Sequence, residues 1–241
     1  MQFRAHRGYT GYPENTIPAF KKAIEEGFEQ IETDPNYTKD GVIVLLHDYT
    51  INRTLRNNDS SFIEQEILLS DITYEELLQY DAGIAWGDEF RGTKIPRLEE
   101  LLELLDGSGV VLDLDKKIST DKLDEMLELV KRYNVQVEFS CGDTERIEKI
   151  LSVMPQALIN YDGNTTRKQL EEICKLVPRD QLTVWMYYDN PSFAWLTDRY
   201  KASFENCARV KRYARLGIAN VRTPYEMRDA VRFGADIIEP F

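Results

Sequence analysis

Short apolar runs alternate with longer amphipathic stretches along nearly the whole of this 241-residue chain. The runs that read as strands are "FRAHRG", "QIETDPNYT", "VIVLLHD", "VVLDLDKK", "VQVEFSC", "ALINYD", "LTVWMYYD", "IANVRT" and "ADIIEP". Helical periodicity fills most of the gaps between them. "NTIPAFKKAIEEG" is the clearest case: Asn15 or Thr16 offers the N-cap and Pro18 fits the first turn. Ile17, Phe20 and Ile24 form an apolar stripe, and Gly27 supplies the stop. Strand–helix alternation of this kind predicts parallel strands joined by right-handed crossovers.

Connection lengths sort these nine runs. Only "KDG" separates "QIETDPNYT" from "VIVLLHD". A parallel crossover needs a dozen or more residues, whereas Asp40-Gly41 is a tight-turn signal. "VIVLLHD" therefore reads as the antiparallel return of a hairpin, which leaves eight strands. The expected fold is α/β, a TIM-like (β/α)8 barrel in one domain over 1–241, close to the usual ~250 residues of that architecture. The stretch from about 35 to 98 has little strand–helix rhythm and carries the hairpin. It reads as an insertion after the second strand that crosses the barrel mouth. No internal repeat or low-complexity segment interrupts the chain.

Charge narrows the classes of partner. The net charge of -12 and pI near 4.8 disfavour nucleic acid and anionic lipid surfaces. An anionic small molecule must instead be met by a local positive site. No apolar run reaches the ~20 residues of a membrane span, and "MQFRAHRG" has no signal-like apolar segment. Cys141, Cys174 and Cys207 are odd in number and lack a C-x-x-C pair, against a disulfide framework or a zinc site. A cytoplasmic protein with reduced thiols is expected.

In such a barrel, functional groups gather at the C-terminal strand ends. The first strand ends in His6-Arg7-Gly8. Glu32 and Asp34, two apart, share one face of the second. The hairpin ends in His47-Asp48, and the third barrel strand carries Asp113 and Asp115 with Lys117 two further on. Clustered hard oxygen donors without thiolates favour one divalent cation, Mg²⁺ or Ca²⁺, over zinc. A cation flanked by His6 and His47, the chain's two histidines, suits acid/base attack on a phosphorus centre. Structural roles compete with these: Arg7 has Glu14 as a partner, Asp115 has Lys117, and Asp113 can substitute for Asp115. Trp185, Tyr187 and Tyr188 near the end of the sixth barrel strand read as a substrate wall or as packing.

The ordered pattern HRG, PENT, IETD, TKDG, HD, NRT resembles the glycerophosphodiester phosphodiesterase family. The likeness is dense from Ala5 to Thr54, weaker from Leu112 to Lys117 and loose beyond. It implies that family's TIM barrel with an inserted hairpin segment, His6 and His47 as general acid and base, and Glu32, Asp34 and Asp115 as ligands of one metal ion. Arg7 and Lys117 then bind a phosphodiester substrate. The implied reaction starts with in-line attack by the glycerol 2-hydroxyl and ends in glycerol 3-phosphate after water opens a cyclic phosphate.

Three departures mark this chain. Asp115 stands where the family usually has glutamate. Ala219-Asn220-Val221-Arg222 replaces a tryptophan-threonine-valine-asparagine segment, which trades an aromatic wall for a cation at Arg222. The last strand reads "IIEPF" in place of an isoleucine-rich run into threonine-aspartate. Trp185 and Arg222 are thus candidate substrate contacts beside a drifted second half. A repurposed binding barrel and a lipid phosphodiesterase of sphingomyelinase D-like type are the alternatives.

Overall fold

The computed structural model describes residues 1–188, 197–198 and 200–240. The chain divides into two compact units, Ala5–Val135 and Met1–Arg4 with Gln136–Phe241. Strand β1 (Gln2–His6) opens the chain and hands over to the first unit at its end.

The first unit continues with α1 (Ile17–Glu25), β2 (Gln30–Thr33), β3 (Pro35–Tyr37) and β4 (Ile43–Leu45). It then runs through α2 (Tyr74–Leu77), α3 (Leu98–Leu105), β5 (Val111–Leu114) and α4 (Leu123–Val130). β2 and β5 pair in parallel, with Glu32 opposite Asp113. β3 and β4 form the antiparallel hairpin that the short "KDG" connection requires, Pro35 facing Leu45.

Two local expectations are refined. "QIETDPNYT" is two strands rather than one, because Pro35 has no N–H to continue a central ladder. The Asp34 carbonyl accepts instead from Leu46 N–H at 2.9 Å. On α1 the buried side chains are Ala19, Phe20 and Ala23, whereas Ile17 and Ile24 are only half-buried. Small alanines face inward because the backbone of Gly8 packs on Ala19, where a Cβ on the glycine would stand 2.6 Å from the alanine Cβ. Between 42 and 97 the chain is held less by regular elements than by its own apolar cluster, centred on Val44, Leu46, Ile51, Leu55, Leu69 and Leu77.

The second unit alternates strictly: β6 (Val137–Cys141), α5 (Thr144–Val153), β7 (Leu158–Tyr161), α6 (Arg167–Leu176) and β8 (Leu182–Tyr187). After these come α7 (Phe204–Val210), β9 (Arg215–Val221), α8 (Pro224–Arg232) and β10 (Ile237–Pro240). Its strands pair in parallel from β6 through β10 to β1. Asp143, Thr166, Ser203 and Thr223 cap α5 to α8, each side chain accepting a backbone N–H of the first turn.

Eight parallel strands in the order β1-β10-β9-β8-β7-β6-β5-β2 close a barrel, and the hairpin stands apart as a two-stranded sheet. The architecture is the TIM-like barrel expected from the strand count. Among the described residues no helix is long and apolar enough to cross a membrane.

Candidate active site

The loop after β1 is shaped by left-handed backbone at Arg7 (φ 57°), Gly8 (φ 95°) and Asn15 (φ 57°). For residues with a Cβ this conformation costs on the order of 1–3 kcal/mol, and it persists where surrounding contacts impose it. Those contacts are present. Arg7 N–H donates to both the Glu32 carbonyl and Glu32 Oε2 at 3.1 Å, and Asn15 N–H donates to the Arg7 carbonyl at 2.9 Å. The loop is thereby folded back over the end of β2, where the carboxylates sit.

Asp34 is the hub of that end, with its side chain only 1% exposed. Asn15 Nδ2 donates to its Oδ2 at 2.8 Å while Asn15 Oδ1 accepts from Thr33 Oγ1 at 2.7 Å. Arg7 Nε stands 3.2 Å from the same Oδ2, and Lys117 Nζ 4.0 Å from Oδ1. Lys117 also lies 3.8 Å from Asp115 Oδ2. The ammonium thus sits between two carboxylates. Glu32 Oε2 lies 3.9 Å from His6 Nε2. Arg7 is divided between Asp34 and Glu14, donating from Nη1 to Glu14 Oε1 at 3.2 Å. Its Nε–H, by contrast, makes no hydrogen bond among the described residues.

His47 follows β4. Its Nδ1 is 2.6 Å from Asp48 Oδ1. Arg53 donates to Asp48 from Nε (2.6 Å) and Nη2 (3.1 Å), and to Glu14 from Nη1 (2.9 Å) and Nη2 (2.7 Å). Burial works against ionisation of Asp48, but hydrogen bonds from Arg53 and His47 outweigh it and hold the carboxyl at about 2. Glu14, also opposed by burial, is held below its ordinary value by Arg53 and Arg7. A continuous chain of polar contacts therefore joins His6, Glu32, Arg7, Asp34, Lys117 and Asp115 to Glu14, Arg53, Asp48 and His47.

Asn15, Asp48 and Arg53 had no site role in the sequence reading. Asn15 was a candidate helix cap, yet Thr16 holds the cap position and contributes no side-chain hydrogen bond there. Its place within "PENT" was the available signal. Asp113, the substitute for Asp115, is fully buried opposite Glu32.

The other two candidates lie in the second unit. Trp185, offered as a substrate wall or as packing, is a packed ring. It is fully buried beside Ala219 and Ile237, with the Arg4 guanidinium 3.4 Å above its centroid. A Cβ on Gly217 would collide with the ring, so the glycine in β9 makes room for it. No face of Trp185 is left for a soluble ligand. Arg222 is exposed at the end of β9, where its N–H donates to Glu226 Oε2 at 2.8 Å.

Residues 6–152, more than half of the chain, match the glycerophosphoryl diester phosphodiesterase family. The chain belongs to this family. A glycerophosphodiester phosphodiesterase of Caldanaerobacter subterraneus is 37% identical over 137 residues, 55% of this chain and about half (53%) of that relative's own length. One from Bacillus altitudinis is 39% identical over 169 residues, 66% of each chain. Among solved structures, an Oleispira antarctica phosphodiesterase in complex with the product sn-glycerol-3-phosphate shares the fold. Its TM-score is 0.79 at 20% identity, covering 100% of this chain and 92% of that one. Sequence likeness thus concentrates where the polar chain lies, and fold likeness extends throughout.

Proposed function

We propose that this protein hydrolyses glycerophosphodiesters to glycerol 3-phosphate and an alcohol, with His6 and His47 as its acid/base pair. The observation that carries the reading is the continuous polar chain that ties both histidines to Arg7 and Lys117. Two groups able to move protons near neutral pH are thereby joined to two cations able to hold a phosphate. Family membership supports it, and so does the glycerol 3-phosphate held by the Oleispira protein of the same fold.

Arg7, shared in this structure between Asp34 and Glu14, offers its guanidinium to a phosphoryl oxygen, and Lys117 supplies a point charge. One histidine takes the proton of the glycerol 2-hydroxyl as that oxygen attacks phosphorus in line. The other gives a proton to the departing alkoxide, and water then opens the cyclic phosphate with the proton transfers reversed.

Glu32, Asp34 and Asp115 would hold a divalent cation, Mg²⁺ or Ca²⁺. Their donor chemistry suits it, being hard carboxylate oxygens whose charge is here met by Arg7 and Lys117. Among the described residues no three His, Cys, Asp or Glu side chains are placed to hold an ion as they stand, so the three carboxylates would have to close on it, with Asp115 releasing Lys117. A bound cation would neutralise charge developing on phosphorus.

The test is a panel of glycerophosphodiesters and lysolipids assayed for released glycerol 3-phosphate or choline, with and without EDTA. Release of glycerol 3-phosphate that EDTA abolishes is expected. Full turnover in excess EDTA would remove the metal from the reading. Binding without turnover of any diester would favour a repurposed barrel.

A further inference from the structure

His47 is held from one side by a short hydrogen bond, and the grip behind that bond is unusual for a half-exposed surface. The 2.6 Å approach of Nδ1 to Asp48 Oδ1 keeps a proton on Nδ1 and leaves Nε2 as the lone-pair end of the ring. Asp48 cannot rotate away, because Arg53 Nε and Nη2 grip both its oxygens. The far side of the same guanidinium grips both oxygens of Glu14, and Glu14 Oε1 accepts in turn from Arg7 Nη1. Arg53 is thus a double fork between two carboxylates, one leading to a histidine and the other to an arginine. Its side chain is 47% exposed, and ion pairs so open to water add little to stability. Its geometry therefore serves position rather than folding.

We infer that Asp48 and Arg53 are positioning residues. Asp48 holds His47 in the Nδ1–H tautomer with Nε2 as its proton-transfer atom. Arg53 sets Asp48 and, through Glu14, the phosphate-binding Arg7, so the base or acid and the anion clamp share one guanidinium. This rests on the roles given above to His47 and Arg7.

Asp48→Asn and Arg53→Lys separate this role from a structural one. The amide keeps the shape of the carboxylate but presents an N–H₂ or a weaker acceptor to the ring. Lysine keeps the charge but has no fork. Steady-state kinetics and ¹⁵N spectra of histidine-labelled protein are read on each, the chain's two histidines being assigned with His6→Ala. Asp48→Asn should lower kcat roughly ten- to a hundredfold with KM little changed, the scale of a mis-set acid/base group. Its His47 signals should move from the Nδ1–H pattern to a tautomer mixture. Arg53→Lys should lower kcat less and raise KM severalfold as Arg7 loosens, and Arg53→Gln should not improve on it. Should Asp48→Asn fail to fold, the KM and kcat changes of the Arg53 variants and their His47 spectra carry the test alone. If His47→Ala is inactive while Asp48→Asn and Arg53→Lys keep wild-type kcat, KM and tautomer signals, the positioning role is wrong and the proposed function stands. Wild-type turnover by His47→Ala would overturn both.

Discussion

In the unit Ala5–Val135, Arg7, Lys117 and Arg53 are each divided between two carboxylates. In the other unit, Arg4 and Glu239 close on one another at 2.6 Å with side chains 6% and 5% exposed, and Trp185 covers the arginine. A buried charge closed this tightly on a buried carboxylate holds structure. A cation divided between two carboxylates can exchange one of them for a ligand and keep the other. The first unit carries most of the family match as well.

The sharpest break of this comparison is to remove one partner of the buried pair. Glu239→Ala should destabilise the protein by about 3–5 kcal/mol, because it removes the carboxylate that stands 2.6 Å from the buried Arg4 guanidinium. Thermal or urea unfolding reads this, and turnover per folded molecule should change little. A loss of turnover without a loss of stability would give the second unit a catalytic role.

The converse comes next. His6→Ala and His47→Ala should each lower kcat about a hundredfold or more, roughly 2.7 kcal/mol in the barrier. Their melting curves should stay near wild type. A His6→Ala variant that melts early and turns over normally would place that histidine with the structural group.

A smaller effect concerns acid. Asp48 titrates at about 2 in the folded chain against its usual 3.8. A depressed folded value means stabilisation that is present above 3.8 and lost as pH falls through about 2. Acid unfolding followed by circular dichroism should therefore be less steep across that window in Asp48→Asn. An unchanged acid limb would show that Arg53 contributes nothing to Asp48 ionisation.

The smallest effect is expected at exposed Arg222, a candidate substrate contact whose charge would suit an anionic headgroup. Arg222→Ala should lower the preference for glycerophosphoinositol over glycerophosphocholine a few-fold, read as the ratio of kcat/KM values. An unchanged ratio would leave Arg222 without a part in specificity.

Turn chemistry and motif order are local properties, and they were legible. Asp40-Gly41 is too short a link for a crossover, so the sequence alone separates the hairpin from the barrel strands. His6, Arg7, Glu32, Asp34, His47, Asp115 and Lys117 could be named because they end strands or follow them at fixed spacing. Other features were decided by neighbours distant in sequence. Trp185 became a packed ring because Gly217 and Arg4 flank it. Of the two cap candidates Thr16 holds the position, while Asp34 and Thr33 bind both ends of the Asn15 amide. Ile17 and Ile24 are only half-buried on α1, where Ala19 lies against the backbone of Gly8. Arg53, five residues from Asp48 and 39 from Glu14, was unreadable as a bridge until the fold brought both carboxylates to one guanidinium. Periodicity records which side of an element faces inward on average. A planar fork with two partners is a property of three-dimensional distance, and only the folded chain supplies that distance.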